Sequence, residues 1–243
     1  MSNKFPDQNQ PSHESLYGGK HKGDTWTLSE NFDKNPRGAA IQFIRNKFSG
    51  PISVLDIGCG KGVNTMWVAK DDVQSNWVGV DAVAPDKIGI QIPVENKNVA
   101  FVQGDFLHDD SLSAKNLELQ QQFEIVVDQG AAFVEIDDEV VMSKYLAKIA
   151  RYLKTGGYFI ALTVEGKHGT TIWPDGRKRV FHDLSDFEKV PFSEYFEVEK
   201  VTGNFGYSYL PEDAALPHVK NPMGAKTGDE RQVVMVHIFF KKK

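Results

Sequence analysis

Only one cysteine, Cys59, stands in the chain of 243 residues, so no internal disulfide can form. That favours a reducing compartment, and we read the protein as cytoplasmic. No stretch of about 18 apolar residues runs unbroken, which argues against a membrane span. The first residues, MSNKFPDQNQPSHES, lack the apolar core of a secretory signal. There is no excess of basic residues: 28 Lys and Arg face 33 Asp and Glu, for a formal charge of −5. This balance gives no support to a large nucleic-acid footprint. GRKR at 176–179 is the one small basic patch, readable as a solvated turn or as a site for an acidic group. The terminal KKK reads as a solvated tail.

What is present is an alternation of two periodicities. Residues 1–24 are polar and without period, and we read them as a flexible arm ahead of a single domain over 25–243. Trp26 either anchors that arm or covers a site as part of a lid. NPRGAAIQFIRNKF carries Ala40, Phe43, Ile44 and Phe48 on a helical stripe. From residue 52 the strands ISVLDI, NWVGVDA, VAFVQGD, FEIVVDQG and YFIALTV follow one another, with a helix expected in GVNTMWVAK. DDEVVMSKYLAKIARYL is a strong amphipathic helix, with Met142, Tyr145, Leu146, Ile149, Tyr152 and Leu153 on one face. Asp137 or Asp138 can cap its start, and Gly156-Gly157 are expected to stop it. LSDFEKVPFSEY is a short helix despite Pro191, and FEVEKVTG and VVMVHIFF close the chain as strands. Strands alternating with helices predict βαβ units and a mainly parallel, doubly wound α/β sheet. The last two strands have no helix between them and are expected to pair antiparallel.

Such sheets bind ligands at the carboxyl ends of their strands. Four consecutive strands deliver an acid there: Asp56, Asp81, Asp105 after Gly104, and Asp128 followed by Gln129. Each alone is explained by a turn or a helix cap, but four in register ask for a ligand. After Asp56 comes G-x-G-x-G, Gly58, Gly60 and Gly62. A dinucleotide loop wants G-x-G-x-x-G, and here the third position is Val63; a phosphate loop with G-K-[S/T] is absent. Acids around a bare backbone suit a ligand with hydroxyls, amines and positive charge. A ribose diol can donate to Asp81, an amino group to Asp56 and an adenine amine to Asp105. S-adenosylmethionine carries all three donors and a cationic sulfonium.

At these residues the chain resembles a known family. VLDIGCGKG looks like the first motif of the class I S-adenosylmethionine-dependent methyltransferases, and WVGVDA, FVQGDF and FEIVVDQG look like the three that follow. YLKTGGYFIALTV resembles the helix-turn-strand after them, so the likeness covers 52 to about 164. It implies a Rossmann-like seven-stranded sheet, mostly parallel, with an antiparallel last strand and helices on both faces. It also implies that S-adenosylmethionine is bound and S-adenosylhomocysteine released. Carried over by position, Asp56, Gly58 and Gly60, with Cys59 between, line the methionine end. Asp81 with Ala82 holds the ribose, and Gly104, Asp105 and Phe106 border the adenine. Asp128 and Gln129 lie at the mouth of the reacting centre. The stretch VAPDKIGIQIPVENK departs from the family's usual clean helix, through Pro85, Gly89 and Pro93.

The sequence also limits the acceptor. Enzymes methylating adenine bases or glutamine commonly carry Asn/Asp-Pro-Pro-Tyr after strand four, where this chain has DQGA. Cytosine C5 chemistry needs a cysteine beyond the cofactor loop, and Cys59 lies inside it. DQG with an apolar turn is closer to the small-molecule methyltransferases, although their usual arginine is Gln129 here. A small-molecule acceptor is therefore expected, with transfer to O, N or S. RNA or protein methylation, and a non-catalytic binding module, are the alternatives. Glu135, Asp137, Asp138 and Glu139 read as an acid-rich helix start, the alternative being a magnesium site; we expect no metal. Acceptor-side residues are sought in the late loops, and His168 and Tyr207 are the candidates for orienting a substrate or taking its proton. Glu165 and Trp173, and Tyr209 and His218, lie in the same two loops; His182 and His237 read as structural.

Overall fold

The computed structural model describes residues 36–84, 87, 97–107, 122–165, 169–172, 178–205 and 234–243. Helix α1 spans Pro36–Arg45, starting at a proline whose missing N–H costs nothing in a first turn. Strand β1 (Ser53–Ile57) leads through the glycine loop into α2 (Val63–Ala69), and β2 (Asn76–Asp81), β3 (Val99–Gln103) and β4 (Phe123–Asp128) follow. A 3-10 turn, Phe133–Glu135, precedes α3 (Glu139–Tyr152). Next come β5 (Leu153–Glu165), β6 (Gly169–Ile172), β7 (Lys178–His182), a 3-10 turn at Leu184–Glu188, α4 (Phe192–Tyr195), β8 (Phe196–Phe205) and β9 (Val234–Lys242).

The described residues form one sheet of nine strands. Its main path runs β3-β2-β1-β4-β5, all parallel. From β5 it continues antiparallel into β9, which pairs antiparallel with β8. These are the seven strands expected from the pattern, with the reversed last strand inserted between β5 and β8. Side chains alternate across the sheet as the pleat requires. Val54, Trp77, Ile125, Val127 and Ile160 pack with α1 and α2 on one face. Leu55, Val126, Phe159 and Ala161 pack with Met142, Tyr145, Leu146 and Ile149 of α3 on the other. This is the doubly wound, three-layer arrangement, and it leaves the two rims of the sheet as the places where polar groups collect.

Three expectations need correction. Helix α3 ends at Tyr152, ahead of Gly156-Gly157, because Leu153 already pairs with Phe123 in the sheet and Gln122 N–H donates to the Tyr152 carbonyl at 3.0 Å. The segment after β5, read as a loop, contains β6 and β7, an antiparallel hairpin whose second strand joins β5 in parallel at Val164 and Glu165, beyond the last β4 partner, Ala161. The carboxyl-terminal lysines are not a loose tail. Lys242 Nζ donates to the carbonyls of Ala150 and Leu153 at 2.6 and 2.7 Å, meeting the last turn of α3 with a positive charge. Burial there pushes the Lys242 amine below its ordinary value. The amino-terminal arm and Trp26 lie outside the described residues.

Candidate functional site

The glycine loop is built by left-handed backbone. Gly58, Gly60 and Gly62 have φ of 62°, 52° and 68°, a region costly for any residue with a Cβ. Their surroundings differ. A Cβ on Gly58 would lie 2.1 Å from the Ala131 Cβ, and one on Gly62 would lie 2.2 Å from the Phe101 ring. A Cβ on Gly60 would meet nothing within 4 Å. So two glycines are demanded by packing, and the middle one faces open space.

Acids flank that space. Asp56, at the end of β1, is only 4% exposed and accepts a hydrogen bond from the Thr65 hydroxyl on α2. Asp81, at the end of β2, is half-buried and accepts from Gly60 N–H at 2.9 Å through one oxygen and from Val83 N–H at 2.9 Å through the other. A carboxylate has about four lone-pair directions, so Asp81 can still receive two further donors. Its own carbonyl accepts from Gly104 N–H at 2.8 Å, which draws the end of β3 alongside. Asp105 holds Leu107 N–H at 3.0 Å in an Asx turn. Cys59 sits in the midst of this. Burial, then the charges of Asp56 and Asp81, push its thiol well above the ordinary value, which favours the neutral thiol.

Of the residues expected here, Asp56, Gly58, Cys59, Gly60, Asp81, Ala82, Gly104 and Asp105 gather on the rim over β1, β2 and β3. Two others turn away. The Phe106 ring is 4% exposed and packs edge-on to Tyr145 in the core, while Lys148 Nζ holds its carbonyl at 2.8 Å. The Asp128 carboxylate is fully buried on the α3 face. It accepts from Ala131 N–H, Phe133 N–H and Tyr145 Oη at 2.8, 2.8 and 2.6 Å. Burial raises its pKa against the pull of those three donors, and burial beside Asp128 raises the Tyr145 phenol well up, so the phenol remains a donor. Asp128 therefore shapes the turn after β4, and that turn sets Ala131 against Gly58. Gln129, which follows it, is buried at the same rim.

The acidic run before α3 is put to structural use. Asp138 caps the helix, accepting from Val140 and Val141 N–H at 2.8 and 2.9 Å. Glu135 pairs with Arg179 at 2.5 Å. Among the described residues, no group of three or more His, Cys, Asp or Glu is placed to hold a metal. Arg179, read with the basic patch 176–179, is instead buried and ties β7 to the turn after β4. His182 is packed among Phe133, Phe187 and Phe192. His168 and Tyr207, with Trp173, Tyr209 and His218, lie outside the described residues. Sequence reasoning missed Thr65 and Tyr145 as partners of the rim acids. A hydroxyl in the first turn after the glycine loop was the available signal for Thr65.

Comparison with known proteins identifies the domain and its cofactor. Residues 49–186, more than half of the chain, match a family described as a methyltransferase domain. The chain belongs to this family. The methyl donor of the methyltransferase domain is S-adenosylmethionine. No curated protein matches the sequence. Among solved structures, the Burkholderia thailandensis 1,6-didemethyltoxoflavin-N1-methyltransferase, with 1,6-didemethyltoxoflavin and S-adenosylhomocysteine bound, is similar at a TM-score of 0.60 and 16% identity, over 90% of this chain and 81% of that one. The N-methyltransferase NodS of Bradyrhizobium japonicum WM9, in complex with S-adenosylhomocysteine, is similar at 0.60 and 13%, over 94% and 97%. A coclaurine N-methyltransferase bound to N-methylheliamine and S-adenosylhomocysteine is similar at 0.57 and 15%, over 85% and 72%. At such identities the likeness carries the fold.

The rim of this methyltransferase domain fits the donor. The space over Gly60 admits a ligand against bare backbone, and Asp81 has lone pairs to spare for a diol. Among the described residues, no helix is long and apolar enough to cross a membrane.

Proposed function

We propose that the chain transfers a methyl group from S-adenosylmethionine to an O, N or S atom of a small molecule, by in-line displacement. The observation that carries this is the open, left-handed Gly60 between Asp56 and Asp81. When bound, the donor supplies an electrophilic methyl on a sulfonium and leaves as S-adenosylhomocysteine. The chain's own residues bind and orient. Asp81 would take the ribose hydroxyls, Asp56 the amino group and Asp105 the adenine amine. The backbone of Gly58 and Gly60 would lie along the methionine end. Holding two reactants in line is worth up to about 7–11 kcal/mol of barrier, so most of the rate can come from positioning. A base is needed only where the acceptor carries a proton, and we assign that side to His168 and Tyr207. Two of the similar structures described above hold a small organic molecule beside S-adenosylhomocysteine, 1,6-didemethyltoxoflavin in one and N-methylheliamine in the other, which supports an acceptor of that class.

The test is S-adenosylhomocysteine release by the purified protein across a panel of small amines, phenols and thiols. Turnover with members of one class supports the reading. Labelled methyl groups passing only into RNA or protein would overturn the small-molecule acceptor while leaving the donor in place.

A further inference from the structure

We infer that Thr65 is a positioning residue for cofactor binding, acting by clasping Asp56 across the base of the glycine loop; this rests on the proposed function. Asp56 is the last acid before the loop and Thr65 stands in the first turn of the helix after it. Their side chains meet, Thr65 Oγ1 donating to Asp56 Oδ2. Every glycine of the loop lies between the two. Both side chains are buried, at 4% and 1% exposure. A carboxylate so enclosed is held in one orientation by whatever donates to it, and a hydroxyl has one proton to give.

The clasp does two things. It fixes which Asp56 oxygen turns inward to α2, and with it the plane of the carboxylate. It also pins the loop's two ends at one separation, so that the bare backbone at Gly60 keeps its shape before any ligand arrives. The same loop is tied from the other side by Gly60 N–H on Asp81 at 2.9 Å. One loop thus has a fixed wall on each flank, and the affinity of a preorganised site is higher because less ordering is left to binding. Cys59, within the loop, feels the charges of both Asp56 and Asp81, and Lys61 of the same loop is exposed. Asp128 on neighbouring β4 is engaged on the opposite face with Tyr145.

The experiment is titration of S-adenosylhomocysteine into the full chain and into Thr65→Val and Thr65→Ser, each across pH 4.5–8. The valine variant keeps the shape and loses the donor; we expect roughly ten-fold weaker binding, and serine should recover it to within about three-fold. Removing a donor from a carboxylate makes it easier to protonate, so the acid limb of binding should move to higher pH in Thr65→Val and return in Thr65→Ser. A role in packing alone would lower the melting temperature and leave that limb unmoved. Wild-type affinity and an unchanged pH profile in folded Thr65→Val would overturn the inference. Should valine not fold, Thr65→Cys, a weak donor of similar size, is read by the same two outcomes. Failure of the unmutated chain to bind would instead strike the proposed function itself.

Discussion

The two rims of the sheet use polar residues in opposite ways. At the amino ends of the strands, charge is consumed internally. Arg45 forms a two-pronged pair with Asp72 and also donates to the Phe48 carbonyl at 2.9 Å. Glu124 takes Ser53 N–H at 2.7 Å and pairs with Lys154. The single Asn98 amide group donates to the carbonyls of Ala69, Asp72 and Ser75, at 3.4, 3.0 and 2.9 Å. At the carboxyl ends, Asp56, Asp81 and Asp105 receive backbone N–H or hydroxyl donors. A rim built for stability neutralises its charges. The opposite rim arranges acceptors, and Asp81 keeps lone pairs over. Gly60, open where Gly58 and Gly62 are crowded, marks the same division within a single loop.

The sharpest way to break this contrast is inside the loop. Gly58→Ala combines left-handed strain with a contact at 2.1 Å to a Cβ that is fixed to its backbone. We expect about 2–5 kcal/mol of lost stability by chemical denaturation, with cofactor binding lost as well. Gly60→Ala should fold, losing only the about 1–2 kcal/mol of the strain, and should lose affinity. Next in size, Asp81→Ala should weaken S-adenosylhomocysteine binding by about 1.5–3 kcal/mol, the size of hydrogen bonds to a charged group, read by calorimetry. Its melting temperature should change far less than that of Gly58→Ala.

Two further changes probe the opposite rim. Asn98→Ala should cost about 1–2 kcal/mol of stability with affinity untouched, since three carbonyls lose one shared donor. Smallest is Arg45→Met, at about 1 kcal/mol. Its signature is pH. Desolvation raises the Asp72 pKa, but the hydrogen bonds from Arg45 and Ser75 and the Arg45 charge outweigh it, leaving the carboxyl below its ordinary value. A depressed acid stabilises the fold above its unfolded pKa, near 4, and that contribution is lost as pH falls through the lower folded value. The gap between wild type and Arg45→Met in denaturant midpoint should therefore be full at pH 7 and shrink towards pH 3. A gap independent of pH would show that the pair acts through packing only.

Much of this molecule could be read from the chain. Apolar runs such as VLDI, the stripe of α3 and the acids ending successive strands are local signals, and they delivered the sheet, its helices and the gathering of acids on one rim. Asp138 as a cap was equally local. What escaped depends on distant partners. The β6–β7 hairpin is two short, polar strands that pair with each other, β7 also with the end of β5, so nothing periodic announces it. Arg179 looked like part of a solvated basic turn because Glu135, which buries its charge, is 44 residues away. Phe106 and Asp128 carry the residue types of a cofactor rim, yet the core of α3, through Tyr145 and Tyr152, takes the ring and the carboxylate. Sequence places a residue on a strand end; which way it turns there is decided by what the other face of the sheet has to fill.

The most direct test of the central claim is calorimetric titration of the purified chain with S-adenosylhomocysteine, beside NAD and ATP. The account predicts micromolar binding of S-adenosylhomocysteine and none of the other two. A folded sample that binds NAD or ATP and leaves S-adenosylhomocysteine untouched would contradict it.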